Sequence, residues 1–287
     1  MHTSCLLCSS SSLKQVTSVS RIELIQCQKC SFVFCKNIPS ELELTNYYKN
    51  YGKNNYLSPL TVKRYNELLN YFEKYRKTNK ILDVGCGHGF FLNEAKKRGW
   101  EVWGTDYSDV CQETCIKNNI NFHKGDLKTN DYLPESFDVI TSFEVIEHTN
   151  TPKHEINKFE YLLRSGGIVY ITTPNFNSIS RSILKDTWSI ITYPEHLSYF
   201  TAKTLNFLLV NNGFKKVKIQ TTGFSLTRYK RAVQKSNQAY ISPTSDDEKL
   251  RVKADTKILF KTAKFIINTI LTFLKKGDTI KAFYVKK

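Results

Sequence analysis

The run KILDVGCGHGFF, from Lys80 to Phe91, constrains this chain more than any other part. A short β-rich segment enters a loop with Gly85, Gly87 and Gly89, and FLNEAKKRG follows with helical character. A loop whose backbone must approach a ligand selects glycine, because any Cβ would stand in the way. The dinucleotide fingerprint is G-x-G-x-x-G, and here the third glycine arrives one residue early. Beyond it, strand-like and helix-like runs alternate: EVWGTD, VCQETCIKNN, NFHKGD, FDVITSF, KHEINKFEYLLRSGG, IVYITTP, TAKTLNFLLVNNGF and KKVKIQTT. This alternation predicts an α/β fold, a doubly wound, Rossmann-like sheet of seven strands. DTIKAFYVKK is expected to be the last strand and to close the sheet's edge, after a helical insertion at about 223–277.

Ligands of such sheets bind outside the carboxyl ends of the strands, so the residues there are candidate site residues. Asp106 ends the second strand of the α/β unit, 21 residues after Gly85, where a carboxylate accepts both hydroxyls of a ribose. Asp126, in KGDL after the third strand, is placed to accept from an adenine amino group. SFEVIEH puts Phe143, Glu144 and His148 at the rim of the fourth. Each carboxylate taken singly is also explained as a helix cap; their recurrence at successive strand ends points to a cofactor.

Ahead of this unit the chain divides into 1–40 and 41–79, with the α/β unit at 80–287. Four of the eight cysteines form two pairs, Cys5/Cys8 and Cys27/Cys30, with 18 residues between the pairs. Two C-x-x-C knuckles at this spacing read as a structural zinc ribbon, since four thiolates complete a tetrahedron and leave no open position. Residues 41–79 read as a tyrosine-rich linker, NYYKNYG, and an amphipathic helix with Tyr65, Leu68, Leu69 and Phe72 on one face.

The formal net charge of +16 favours anionic partners such as nucleic acid, phosphorylated sugars or an acidic membrane surface, and equally fits a lysine-rich surface with no such role. MHTSCLLCSS lacks a basic start followed by an apolar run, and no apolar stretch is long enough to span a bilayer. Together with the cysteine usage, this makes the cytoplasm the expected location. Within the insertion, KILFKTAKFIINTILTFLKK is a basic amphipathic helix at about 257–276. Lys257, Lys261, Lys264, Asn268, Thr272 and Lys275 share one face, and Leu259, Phe260, Ile266, Ile267, Ile270 and Leu274 lie on the other. Its apolar face is expected either to pack against protein or to lie in a membrane interface.

ILDVGCGHG, GTDYS, GDL, FDVITSFEVIEH and LLRSGGIVYITTPN resemble the successive motifs of class I S-adenosylmethionine-dependent methyltransferases. CQKCSFVF, NYYKNYG and PEHLSYFT are similar to a bacterial subgroup that modifies sugars and cell-surface glycans. The resemblance implies that Asp83, Gly85, Gly87 and Gly89 hold the methionine end of the cofactor, Asp106 the ribose, and Asp126 with Leu127 the adenine. LLRSGG departs from the family, which usually has a proline before the glycines.

The stretch YPEHLSYFT, 193–201, then acquires a purpose. An alcohol acceptor needs a base to take its proton, and a histidine suits that task near neutral pH. We expect His196 as general base, Glu195 orienting it, Tyr193, Tyr199 and Phe200 walling a sugar acceptor, and His148 in reserve. The structural alternative is that His196 only fixes its loop. Tyr-x-Glu-His also resembles deoxysugar C-methyltransferases, an alternative reaction. RNA methylation is permitted by charge and ribbon, but no Asp/Asn-Pro-Pro-aromatic loop and no RNA-binding module are apparent, so nucleic acid is not the expected partner.

Overall fold

The computed structural model describes residues 1–48, 56–234 and 245–287. Part of the tyrosine-rich linker and part of the insertion lie outside them. Three short strands open the chain, β1 (Leu13–Gln15), β2 (Leu24–Cys27) and β3 (Val33–Cys35), paired antiparallel in that order. The two cysteine knuckles turn alike: the Ser9 and Ser31 N–H groups donate to the Cys5 and Cys27 carbonyls, each at 2.9 Å, and both serines take positive φ.

Where the sequence suggests linker, Glu41–Tyr48 is helical (α1). Helix α2 (Pro59–Phe72) starts as its composition dictates, with Ser58 accepting from the Leu60 N–H and proline in the first turn. It buries Leu69 and Phe72 against the sheet.

The α/β unit follows as β4 (Lys80–Val84), α3 (Phe90–Lys97), β5 (Glu101–Asp106), α4 (Asp109–Lys117), β6 (Asn121–Lys124), β7 (Phe137–Phe143), α5 (Pro152–Leu162) and β8 (Leu163–Pro174). Then come α6 (Ile179–Leu184), β9 (Ser198–Tyr199), α7 (Ala202–Val210), β10 (Phe214–Thr222), α8 (Leu226–Gln234), α9 (Asp246–Thr256), α10 (Ile258–Leu274) and β11 (Thr279–Lys286). Seven strands form one sheet in the order β10-β11-β8-β7-β4-β5-β6, with β11 antiparallel to both neighbours and the rest parallel.

Three expectations are corrected. The last strand does not close the edge: β11 lies between β8 and β10. Ile280, Ala282 and Tyr284 of β11 are fully buried, whereas β10 exposes Lys215, Lys216 and Lys218, the charges that suit an unpaired edge. The helix before β8 stops at Leu162, because Leu163 already pairs with Phe137. Finally, β9, which lies inside YPEHLSYFT, leaves the α/β unit and pairs with β3 as the fourth strand of the N-terminal sheet.

A buried ion pair bolts the segment 75–79, just after α2, to the sheet. Asp138 is fully buried; Arg164 Nε donates to it at 2.5 Å and the Lys77 and Asn79 N–H groups at 2.7 and 2.8 Å. Burial raises its pKa, but Arg164 and the backbone donors outweigh this, so the folded value lies below the ordinary 3.8. Its contribution to stability is therefore complete above that value and is lost as pH falls through the folded one. Asp138→Ala should cost about 3–5 kcal/mol by leaving Arg164 without its counter-charge. Urea melts of the variant should also show a weaker decline below about pH 4 than the wild type.

Candidate active site

The cofactor side is built by the loop between β4 and α3. Gly85 has φ +72°, and a Cβ there would fall 2.4 Å from Val145 Cγ2, so the loop can touch the end of β7 only with glycine. Gly87 has φ +53°, and its added Cβ would meet nothing within 4 Å, which leaves open space where a ligand would lie. Gly89 begins α3 in the left-handed region. Asp106 organises the loop: Oδ2 accepts from the Gly87 N–H at 2.9 Å and Oδ1 from the Ser108 N–H at 3.0 Å. Asp83 is buried, accepts from Thr141 Oγ1 at 2.6 Å, and is pushed up to about 8 by burial, with Asp106 adding to the rise. Open backbone beside two acidic groups fits a ligand carrying a sulfonium and an ammonium, as S-adenosylmethionine does.

The remaining cofactor candidates differ among themselves. Asp126 is exposed and accepts from the Tyr107 hydroxyl. The Leu127 side chain is core, 2 % exposed. Phe143 is partly buried in an aromatic cluster, with ring centroids 5.2 Å from Phe91, 5.5 Å from Tyr170 and 5.8 Å from Tyr65. Tyr65 comes from α2, whose sequence signal was only its amphipathic spacing.

On the acceptor side β7 ends at Phe143, and a single turn, Ile146–His148, presents Glu147 and His148. The 193–201 segment folds onto that turn. The Leu197 N–H donates to the Glu147 carbonyl at 2.8 Å, and Ser198 Oγ to the Thr149 carbonyl at 2.7 Å. His148 and His196 meet edge to face with centroids 4.8 Å apart. His148 Nδ1 lies 2.9 Å from the Glu195 carbonyl and His196 Nδ1 2.6 Å from the Ile190 carbonyl. A carbonyl only accepts, so both rings donate from Nδ1; in His196 this leaves Nε2 as the basic nitrogen, whereas His148 also hydrogen-bonds the Glu144 backbone. Burial lowers both pKa values, that of His148 to about 4 with His196 adding to the fall, so both rings are neutral at pH 7.

Glu147, which sequence reasoning left unassigned, is 3 % exposed and accepts from Thr173 Oγ1 at 2.9 Å. Burial, then the charge of Glu144, holds its carboxyl well above the usual range. The Glu195 carboxylate accepts from Thr192 Oγ1 at 3.1 Å, and His196 Nδ1 lies 3.4 Å from that same Oγ1 and 2.6 Å from the Ile190 carbonyl, so Glu195 reaches His196 only through Thr192. Tyr193 is half-buried beside this turn. Tyr199 and Phe200 do not wall an acceptor. Tyr199 is 3 % exposed and donates to the His196 carbonyl at 3.1 Å. Phe200 is fully buried, 5.0 Å from Phe32 of the N-terminal sheet. Their aromatic surface joins the two sheets.

The four paired cysteines converge, with Sγ atoms 3.4 Å apart for Cys5 and Cys30 and 3.5 Å for Cys8 and Cys27. A tetrahedral ion with bonds of about 2.3 Å sets sulfurs roughly 3.8 Å apart, so the cluster is compatible with a metal site.

Residues 56–219 match the methyltransferase domain family, and the chain belongs to it, as a class I S-adenosylmethionine-dependent methyltransferase. Among curated proteins, the ubiquinone biosynthesis O-methyltransferase of Pseudomonas fluorescens (strain Pf0-1) is 31% identical over 105 residues, covering 34% of this chain and 45% of that protein. Its counterpart in Coxiella burnetii (strain RSA 493 / Nine Mile phase I) is 33% identical over 107 residues, covering 35% and 46%. The chain thus spans about half the length of the curated relatives it matches. A S-adenosylmethionine-dependent methyltransferase from Archaeoglobus fulgidus superposes with TM-score 0.54 at 18% identity, covering 86% of this chain and 100% of that one. Phosphoethanolamine N-methyltransferase 2 of Haemonchus contortus, in complex with S-adenosyl-L-methionine, gives 0.53 at 17%, covering 88% and 61%. These two likenesses show the fold.

Proposed function

We propose that this chain moves the methyl group of S-adenosylmethionine to a hydroxyl of a small molecule or sugar, activated at the cluster of Glu147, His148 and His196. The observation that carries this is the pair of neutral imidazoles at the end of β7, in which His196 keeps Nε2 basic because its Nδ1 faces a backbone carbonyl. When bound, S-adenosylmethionine supplies a methyl on a good leaving group, so the protein's task is alignment and removal of one proton. The glycine loop, Asp83 and Asp106 hold the cofactor, and His196 faces the acceptor. That curated relatives are named O-methyltransferases supports oxygen as the acceptor atom; the sugar rests on the resemblance of PEHLSYFT and the ribbon.

The test is transfer of labelled methyl into a fractionated cell extract, with His196→Ala alongside. Label in nucleotide sugars or glycolipids, lost in the variant, is the expected result. Label in a quinone-type lipid would move the acceptor to the chemistry in the relatives' name, and label in RNA would overturn the proposal. The position of the labelled carbon, read by NMR, separates oxygen from carbon methylation.

We further propose zinc in the four-cysteine cluster, and a lipid surface under α10. No helix among the described residues is long and apolar enough to cross a membrane. In α10 the apolar face does not pack against the body, the first of the two alternatives for it. Thr272 and Asn268 face the body, with Thr272 Oγ1 donating to the Thr221 carbonyl and Asn268 Oδ1 accepting from the Gly223 N–H, both at 2.9 Å. Its apolar stripe faces out: Ile258, Leu259, Phe265 and Phe273 are 85, 79, 72 and 84 % exposed. Exposed Lys257, Lys261 and Lys275 flank it on a chain of net charge +16, the complement of anionic headgroups. The protein should float with phosphatidylglycerol-containing vesicles at low salt and not with phosphatidylcholine alone. Phe265→Ser with Phe273→Ser should abolish flotation. A wild type that stays below the vesicles, or that buries the stripe as a dimer in light scattering, would sink the idea.

A further inference from the structure

Cations without counter-charges gather over the acceptor edge of the sheet. Phe143, Thr172 and Lys281 stand side by side on β7, β8 and β11, so Lys281 lies two strand spacings, about 10 Å, from the end of β7. Side chains alternate along a strand, so Lys281 shares a face with Phe283, which packs against Tyr71 of α2 with ring centroids 5.2 Å apart. Arg64 lies about two turns before Tyr71 on the same side of α2. Arg64, Lys281 and Arg228 of α8 are half-buried, and their side chains make no hydrogen bond or ion pair among the described residues. Every Asp and Glu of the chain lies among those residues, so no further carboxylate is left to neutralise them. Arg251 of α9 is held by Glu248 and Thr61, both at 3.1 Å, with its Nε buried and unpartnered, and half-buried Lys264 of α10 lies 4.0 Å from Asp255. Burial, then the charges of Arg64 and Lys264, push the Lys281 ammonium down to about 8. Glu144 faces this group. Solvent reaches it, yet it is hemmed in closely enough for burial to raise its pKa, as on the wall of a cleft. The charge of Arg228 is felt at both Glu144 and His196. Asp278, also near Arg228, accepts from Ser180 Oγ and the Ser225 N–H, each at 2.8 Å.

A half-buried cation among like charges costs free energy unless an anion meets it. We propose that Arg64, Arg228 and Lys281, backed by Arg251 and Lys264, bind a phosphate or diphosphate group of the methyl acceptor. A carboxylate is planar and fills one guanidinium fork. Phosphoryl oxygens are set tetrahedrally and accept from several directions at once, as cations on α2, α8 and β11 require. The inference rests on the proposed hydroxyl methylation and narrows its acceptor to a phosphorylated sugar, anchored so that a hydroxyl reaches His196. Such a group arrives either on a water-soluble nucleoside-diphosphate sugar or on a lipid diphosphate, and both present the same oxygens to the site. A neutral acceptor would leave the charges unmet.

The test is calorimetric titration of the full chain with inorganic pyrophosphate, with S-adenosylmethionine titrated alongside. The expected result is one pyrophosphate per chain, weakened at least about tenfold by Lys281→Met and by Arg64→Gln. Lys215→Ala, at an exposed lysine of β10, should leave it unchanged. Undiminished S-adenosylmethionine binding by Lys281→Met shows that this variant remains folded. Without ligand it should melt above the wild type, because it removes an unmet charge; a lower melting point would make Lys281 a structural cation and overturn the site. Wild type that binds no pyrophosphate, or Lys215→Ala that binds it as weakly as Lys281→Met, also overturns the site. So does Lys281→Met that keeps pyrophosphate and loses S-adenosylmethionine, since the cluster would then serve the methionine carboxylate. Uridine diphosphate bound more tightly than pyrophosphate upholds the site with a soluble nucleotide acceptor, and farnesyl diphosphate bound more tightly upholds it with a lipid-linked one. Pyrophosphate bound as expected with no transfer to any hydroxyl keeps the site and overturns the proposed function.

Discussion

Asp106→Ala is expected to weaken S-adenosylmethionine binding about a hundredfold while leaving the fold in place. In the structure this carboxylate holds the glycine loop through the Gly87 N–H and its own turn through the Ser108 N–H. It also stands where the ribose hydroxyls are expected. A hydrogen bond to a charged group contributes about 1.5–3 kcal/mol, so losing two to the ribose removes about 3 kcal/mol, or two decades in Kd. Global stability changes less, because both backbone donors lie at a surface turn where water replaces the carboxylate. Calorimetric titration gives the affinity and thermal unfolding gives the stability. A Kd within threefold of wild type would remove Asp106 from the cofactor site.

Removing a ligand of the zinc proposed for the four-cysteine cluster is expected to disable the proposed acceptor site at a distance. The ribbon is not an appendage. Val33 and Phe34 of β3 pair with Tyr199 and Ser198, the Cys35 N–H donates to the Leu197 carbonyl at 2.9 Å, and Cys35 Sγ to the His196 carbonyl at 3.3 Å. Three short strands have little core of their own, and structural zinc contributes roughly 10 kcal/mol or more to folding in such units. Cys27→Ser should therefore loosen residues 193–201, seen as faster hydrogen exchange there, and lower methyl transfer at least about a hundredfold. Binding of S-adenosylmethionine, on β4 and β5, should persist. Unchanged protection at 193–201 would show that the ribbon does not brace His196.

Much of this was legible in the sequence because local signals coincide with the global fold. The glycines at 85, 87 and 89 and the acid at 106 announce themselves by spacing, and the cysteine pairs by theirs. What was not legible depends on contacts between distant segments. Nothing in SFEVIEH tells Glu147 from Glu144; only burial does, one being 3 % exposed and the other at the surface. His196 was singled out by its aromatic neighbours, yet Tyr199 and Phe200 serve the seam with the ribbon. The stripe of α10 was visible, but its direction depended on Asn268 and Thr272 finding β10. The lysines of KKVKIQTT did mark an edge strand, and the edge was assigned to the wrong segment.

The place of β11 has a consequence for synthesis. It is made after β10 yet lies between β10 and β8, so while residues 223–278 emerge from the ribosome, β8 offers Ile168, Val169 and Ile171 along an unpaired edge. At about 5–20 residues per second that interval lasts several seconds. A nascent chain in this state is a template for intermolecular strand pairing, and the yield of soluble protein should depend on how quickly translation carries β11 into the gap.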